Sequence, residues 1–257
     1  MARTMETPPG SFTAYTIASR HLGRRMAVRV WVPPGLENPP ILYLMHGRNG
    51  TPESWSERPR LQALLAELPL AVACLRGENS FYTDYYGGGD WEKAVVCEQI
   101  PAIEAQFRVG GRRSRRMLAG YSMGGFGAVK TALKYPERFC AAYSLSGSFG
   151  SARSTDEAHK FLVFGPQEGA HRRANDPLAL APQVPRSRRP ALAFDCGKDD
   201  VLLSVNREFH HLLTRLGWDH RFREHDGGHD WAYWDERLPD LLLWARQHLD
   251  ANGAPKA

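Results

Sequence analysis

The sequence predicts an α/β fold: a three-layer sandwich in which helices cover both faces of a mostly parallel central sheet with an antiparallel N-terminal start. Three observations carry this expectation. Short apolar runs closed by glycine or by an acidic turn recur at about residues 40–47, 70–75, 116–121, 139–145 and 190–197, as strands buried on both faces do. Segments with helical apolar spacing separate them, and strands alternating with helices imply right-handed crossovers onto one sheet. The first two extended segments, 12–19 and 25–32, instead alternate partly in polarity across a short connection, as an antiparallel pair does. With 257 residues and 42% hydrophobic content, the chain is expected to form one domain, 1–257.

In order along the chain, Pro33, Pro34 and Gly35 end the opening pair. The run 40–47 follows, then a loop with Thr51 or Ser54 as caps and a helix over about 55–67. Strand 70–75 empties into a polar, glycine-rich and aromatic-rich loop, 76–89. Loops this long are functional or disordered, and the aromatics argue against disorder. Asp90 is placed to cap a helix running to Phe107, with Ala94, Val95, Cys97, Ile100, Ile103 and Phe107 broadly on one face and Pro101 predicting a kink. A strand at 116–121, a helix at 124–135 stopped by Pro136, and a strand at 139–145 come next. Residues 151–189 then break the rhythm with mixed polarity and several prolines, which suggests a cap or lid over the sheet. Order resumes with strand 190–197, a helix at 203–216 stopped by Gly217, a more polar strand at 220–225, and a closing helix at 231–249, irregular around Pro239.

Composition narrows the function classes. The net charge is +5, and two arginine clusters stand out, Arg112, Arg113, Arg115, Arg116 and Arg186, Arg188, Arg189. Each precedes an apolar strand and lacks interleaved aromatic platforms, so solvated loop charge is expected and nucleic acid is not. Cys74, Cys97, Cys140 and Cys196 are widely spaced with no zinc or redox pattern, and reduced, mostly buried thiols are expected. No run approaches the roughly 18 apolar residues of a membrane span, and Met1 to Ser11 has no apolar segment behind Arg3. A cytoplasmic protein with no membrane partner is the expectation. Homo-oligomerisation is left open.

The chemistry is concentrated at Gly120-Tyr121-Ser122-Met123-Gly124, a G-x-S-x-G turn between a strand and a helix that lifts a serine hydroxyl above the sheet. In a chain with 24 glycines the pattern arises by chance on the order of once in ten, so context must decide. A serine needs a base to take its proton and a carboxylate to orient that base. In α/β-hydrolases these follow in the order Ser, acid, His, at the carboxyl ends of strands. Asp199-Asp200 and then His229 stand in those places. Asp200 is favoured over Asp199, with Asp195 behind both. Of ten histidines, His229 alone combines a Gly-Gly approach with a position after the last strand, with His225 and Asp226 as runners-up. The oxyanion of a tetrahedral intermediate needs backbone donors, for which the amides of Met123 and Arg48 are placed, the latter in the turn after His46-Gly47.

Seven ordered blocks resemble the esterase D and S-formylglutathione hydrolase group, which also contains feruloyl esterase domains and mycolyltransferases. They are Leu42 to Gly47, Asn79 to Asp84, Gly120 to Ala128, Ser144 to Gly147, Asn175 to Leu178, Asp195 to Asp200 and Gly227 to Trp231, spanning about residues 12–248. The resemblance implies Ser122 as nucleophile, Asp200 as acid, His229 as base, the Arg48 and Met123 amides as oxyanion hole, and no metal or organic cofactor. It also implies that the loop with Phe81 and Tyr82 lines the pocket; His46, Gly47 and Trp231 are further candidates to contact substrate. Trp55, Phe81, Tyr82, Tyr85, Tyr86, Trp231 and Trp234 suggest a partly apolar pocket mouth. The implied activity is hydrolysis of small carboxylic esters or thioesters. The alternatives are an acyltransferase with an alcohol or amine acceptor and a non-catalytic binding protein on the same scaffold.

Overall fold

The computed structural model describes residues 11–154 and 158–249. Eight strands form one sheet in the order β1-β2-β4-β3-β5-β6-β7-β8. Strands β1 (Thr13–Ser19), β2 (Arg24–Trp31) and β4 (Ala71–Leu75) pair antiparallel, while β3 (Ile41–Met45) pairs parallel with β4 and with β5 (Arg116–Tyr121). β6 (Ala141–Leu145), β7 (Ala191–Gly197) and β8 (His220–His225) extend the parallel part. The order reverses about β3, which opens a crevice at the carboxyl ends of β3 and β5.

Strand alternation sorts the apolar residues onto two faces. Tyr43 and Met45 of β3 join Phe81, Phe126, Phe149 and Phe209 on one side. Leu42 and Leu44 join Trp55, Tyr143, Trp234 and Leu241 on the other. β8 closes one edge and is half-buried except at the exposed Arg223, which is why its sequence reads as more polar than the inner strands.

The helices are broken or rewound at three prolines, of which Pro239 does so as expected. The segment expected as one helix over 55–67 is two, α1 (Glu53–Ser56) and α2 (Pro59–Leu65), because Arg58 before Pro59 is held extended at ψ 112. The helix expected from Asp90 is continuous but changes winding. α3 (Trp91–Lys93) passes through a π-helical stretch, Ala94–Gln99, into α4 (Ile100–Phe107), and the wide turns absorb the missing N–H of Pro101. Asp90 does not cap it. The Asp84 carboxylate accepts from the amides of Glu92 and Lys93 at 2.8 and 3.1 Å, and Asp90 pairs with Lys93 instead. α5 (Met123–Lys134) follows the serine. The region expected as a lid holds α6 (Ala158–Phe164), α7 (Ala170–Arg173) and α8 (Pro177–Leu180) with two 3₁₀ turns. After α9 (Leu203–Arg215) and β8, the closing helix is divided at Arg237 into α10 (Trp231–Glu236) and α11 (Leu238–His248), with Pro239 in the first turn of the second.

Two composition-based expectations need correction. The arginine clusters are not all solvated loop charge: Arg116 makes a two-pronged bond to Glu104 at 2.6 Å per contact, Arg115 is buried, and Arg113 donates to the Pro136 carbonyl. They brace the amino ends of the strands they precede. The cysteines are all free, but Cys97 is exposed and Cys140 half-buried, leaving Cys74 and Cys196 in the core.

Candidate active site

Ser122 joins β5 to α5 with φ 54 and ψ −119, backbone angles that an L-residue avoids unless its surroundings hold it there. Three bonds and two glycines hold it. Its amide donates to the Leu145 carbonyl of β6 at 2.8 Å, and its carbonyl accepts from Phe126 in the first turn of α5 at 3.0 Å and from Ser148 at 3.2 Å. A Cβ on Gly120 would lie 2.4 Å from the Gly124 backbone, and one on Gly124 would lie 2.1 Å from the Met45 carbonyl oxygen. The sharp turn therefore requires glycine at both flanks of the motif.

His229 reaches the serine from the loop after β8. Its Nε2 is 3.0 Å from the Ser122 Oγ, and its Nδ1 is 2.9 and 3.1 Å from the two oxygens of Asp200. The alternatives fall elsewhere. Asp199 is exposed, Asp226 pairs with Lys198 at 2.7 Å, and Asp195 accepts from the hydroxyls of Tyr143 and Tyr233. His225 lends only its backbone carbonyl to the Lys198 amide. Burial works to raise the Asp200 carboxyl, but bonds from His229, Ser146 and the Leu202 amide outweigh it and hold the group below the usual aspartate value. A carboxylate kept ionised against one ring nitrogen fixes the tautomer that leaves Nε2 free to accept a proton.

Sequence reasoning passed over two supports of this relay. Ser146, at φ 50 just beyond β6, places its hydroxyl between Asp200 and the Trp234 indole, whose Nε1 donates to it at 3.1 Å. The Trp234 ring meets the His229 imidazole edge to face at 5.1 Å. Ser146 lies in the Ser144 to Gly147 block after β6, and Trp234 is one of the late aromatics. Neither residue type announces a positioning role.

The end of β3 abuts the start of α5, where the Met45 and His46 carbonyls crowd Gly124. Met123 is the first residue of α5, where amides have no partner within the helix. Arg48 is exposed in the loop after Gly47, and the loop is pinned through Asn49, whose amide donates to Asn79 Oδ1 at 2.7 Å while Asn79 returns its side-chain N–H to Asn49 Oδ1 at 2.9 Å. His46 is fully buried behind this loop. Its Nδ1 lies 2.8 Å from the Gly47 carbonyl and its Nε2 accepts from the Gly77 amide at 3.2 Å, a set that suits one neutral tautomer, and burial lowers its basicity accordingly. Gly47 lies against the Tyr121 ring, with no room for a Cβ.

The expected apolar mouth is mostly interior. Trp55, Phe81, Tyr82 and Trp234 are buried, Tyr85 and Trp231 half-buried, and Tyr86 exposed. Phe81 and Tyr82 both adopt positive φ, which turns their rings inward against Phe126, Phe164 and His46. The Tyr82 hydroxyl donates to the His46 carbonyl at 3.2 Å. Beneath them, the fully buried Lys130 donates to the Tyr82 carbonyl, to Thr83 at 3.1 Å and to Glu92 at 2.6 Å. Burial lowers Lys130 to about 8 against the pull of Glu92, while Glu92, resisting its own burial, is brought down to about 2 by Lys130 and Lys134.

A strained serine in hydrogen-bonded line with an imidazole and a buried carboxylate has the parts for nucleophilic acyl chemistry. Comparison with known proteins agrees. The family model described as "Putative esterase" matches residues 19–245. The chain belongs to this esterase family. An acetyl esterase of Caldicellulosiruptor saccharolyticus is 29% identical over 233 residues, covering 83% of this chain and 86% of the relative. Among solved structures, a ferulic acid esterase superposes with TM-score 0.81 at 27% identity, covering 93% of this chain and 98% of that one. An S-formylglutathione hydrolase from Agrobacterium tumefaciens, at 24% identity, shares the α/β-hydrolase fold with TM-score 0.83 over 95% and 98% of the two chains. The protein is thus a carboxylesterase-type enzyme of this family. Among the described residues, no helix is long and apolar enough to cross a membrane.

Proposed function

We propose that the protein hydrolyses small carboxylic esters or thioesters through an acyl-enzyme on Ser122. The observation that carries this reading is the unbroken relay from Ser122 Oγ through His229 to Asp200, with contacts of 3.0 and 2.9 Å. His229 Nε2 takes the hydroxyl proton as Oγ attacks the carbonyl carbon, and Asp200 stabilises the imidazolium that forms. The Met123 and Arg48 amides receive the oxyanion. The imidazolium then gives its proton to the departing alcohol or thiol as that bond breaks. Water, deprotonated by the same nitrogen, then attacks the acyl carbon, and the imidazolium returns that proton to Ser122 Oγ as the acyl–oxygen bond breaks and the acid leaves.

No protein group in this scheme calls for a metal or an organic cofactor. Phe81 and Tyr82 act from behind: with the rings turned inward, they and His46 shape the loop carrying the Arg48 amide. The test is Ser122→Ala. It is expected to reduce p-nitrophenyl acetate hydrolysis by a factor of about a million, the scale reached when a nucleophile of this kind is removed, and to abolish labelling by a fluorophosphonate probe. Wild-type turnover in that variant would end the proposal. A panel of acyl esters of graded length, with S-formylglutathione included and an alcohol acceptor added in one arm, defines the acyl group and shows whether water is the acceptor.

A further inference from the structure

Beside Trp231, two residues beyond His229, lies a cation that the proposed reaction does not use. Arg58 stands half-buried before Pro59, and its Nε donates to the Ser54 carbonyl at 3.2 Å. The guanidinium carbon lies 3.8 Å from the centre of the Trp231 ring. Trp231 packs edge to face on Tyr121 at 4.7 Å and on Trp55 at 5.4 Å, and it follows His229 by two residues. The Arg58 charge is felt at the Tyr121 hydroxyl, the residue preceding the nucleophile.

Neighbouring arginines have acidic partners: Arg29 bonds Glu53 at 2.9 Å, and Arg60 lies 3.8 Å from Asp235. Among the described residues Arg58 has none, and its bonded contacts are the Ser54 carbonyl and the indole face. The guanidinium is held by that bond and by its seat over the indole, and its two terminal nitrogens have no acceptor among the described residues. A flat, pre-oriented fork of this kind matches a carboxylate.

The reaction says which end of a substrate would meet it. His229 Nε2 must return the proton to the leaving oxygen or sulfur, so the departing group lies on the imidazole side, where Trp231 begins α10. We propose that Arg58, held flat on Trp231, forms a carboxylate-binding subsite for the leaving group, so that the preferred substrates are esters or thioesters whose alcohol or thiol carries a carboxylate. This rests on the esterase reading above. Uniform binding of a remote charge appears in KM and leaves kcat nearly unchanged.

The experiment compares two aryl acetates, one with a propionate side chain para to the ester and one with the neutral propionamide, whose phenols are of matched acidity. The wild type is expected to favour the carboxylate by about tenfold in KM, the scale of one charge-assisted pair at a half-exposed site. Arg58→Ala should erase that preference, and Arg58→Lys should retain part of it. In a third arm the carboxylate is moved to the acyl side, as the hemisuccinate of p-cresol, where Arg58→Ala should change nothing. An Arg58→Ala enzyme that hydrolyses both acetates with the wild-type preference overturns the subsite, as does an Arg58 dependence confined to the hemisuccinate. If wild-type protein hydrolyses neither acetate and Ser122 resists phosphonylation, the esterase reading falls and takes the subsite with it. Should Arg58→Ala not fold, product inhibition of the wild type decides: the propionate phenol should bind about tenfold tighter than the propionamide phenol at low salt, with the difference shrinking as salt is raised, and equal inhibition overturns the subsite.

Discussion

Asp195 and Asp200 lie five positions apart at the end of one strand, both almost fully buried, yet their environments drive them in opposite directions. Asp195 lies within β7 and receives two tyrosine hydroxyls, from Tyr143 at 2.7 Å and Tyr233 at 2.9 Å. Burial raises its carboxyl to about 6 in spite of them. Asp200 lies in the turn beyond the strand, where the imidazole, the Ser146 hydroxyl and the Leu202 amide all converge on it and keep it ionised. The difference teaches that depth alone does not decide the state of a buried acid. The number of donors and the presence of a group able to carry positive charge decide it. Strand backbone amides are consumed by the ladder, so only the turn can offer Asp200 a main-chain N–H.

The comparison breaks most visibly at Asp200. Asp200→Asn is expected to lower kcat on p-nitrophenyl acetate by about ten-thousandfold, since an amide no longer selects the tautomer or stabilises the imidazolium. Asp195→Asn is expected to keep most activity and to change the pH dependence of stability instead. The Asp195 value in the fold exceeds the ordinary 3.8, so its contribution is fully present below that pH and is lost as pH rises through about 6. Thermal unfolding of wild type against Asp195→Asn should therefore diverge between these values, with the wild type losing on the order of 3 kcal/mol relative to the variant. Identical pH profiles would remove the distinction drawn here. Asp200 has the opposite sign: its contribution is present at neutral pH and disappears as pH falls through its lowered folded value. The smallest effect expected is that of Ser146→Ala, which deletes one donor to Asp200 and the acceptor of the Trp234 indole; kcat should fall about tenfold, as for loss of one bond of ordinary strength. Its readout is kcat with KM unchanged.

The sequence made the ends of strands legible because chain order and strand boundaries together constrain them. Ser122 and Asp200 each follow an apolar run and His229 the last, more polar strand, and the structure brings all three within hydrogen-bonding distance. What stayed hidden depends on backbone angles that no spacing encodes. The positive φ values at Phe81 and Tyr82 turn two aromatics, read as pocket lining, into the interior behind the loop that follows β3. The same holds for Asp84 replacing Asp90 as the helix cap, because a long loop folded back to deliver it. Lys130 is a further case. No spacing on a helix after a glycine-rich turn marks a lysine for burial, and only the tertiary fold shows it fully buried between Glu92 and the Tyr82 carbonyl.

The left-handed backbone at Ser122 has a consequence for the life of the protein outside catalysis. That conformation exists only while β6 holds the serine amide and Met45 crowds Gly124, contacts made by chain segments far apart in sequence. In any partly unfolded molecule the residue relaxes to ordinary angles, and its hydroxyl is then no more reactive than that of another surface serine. With Ser122 in its proposed role, covalent phosphonate labelling is expected to count native molecules one by one, a census of folding in a cell extract where no purified standard is at hand.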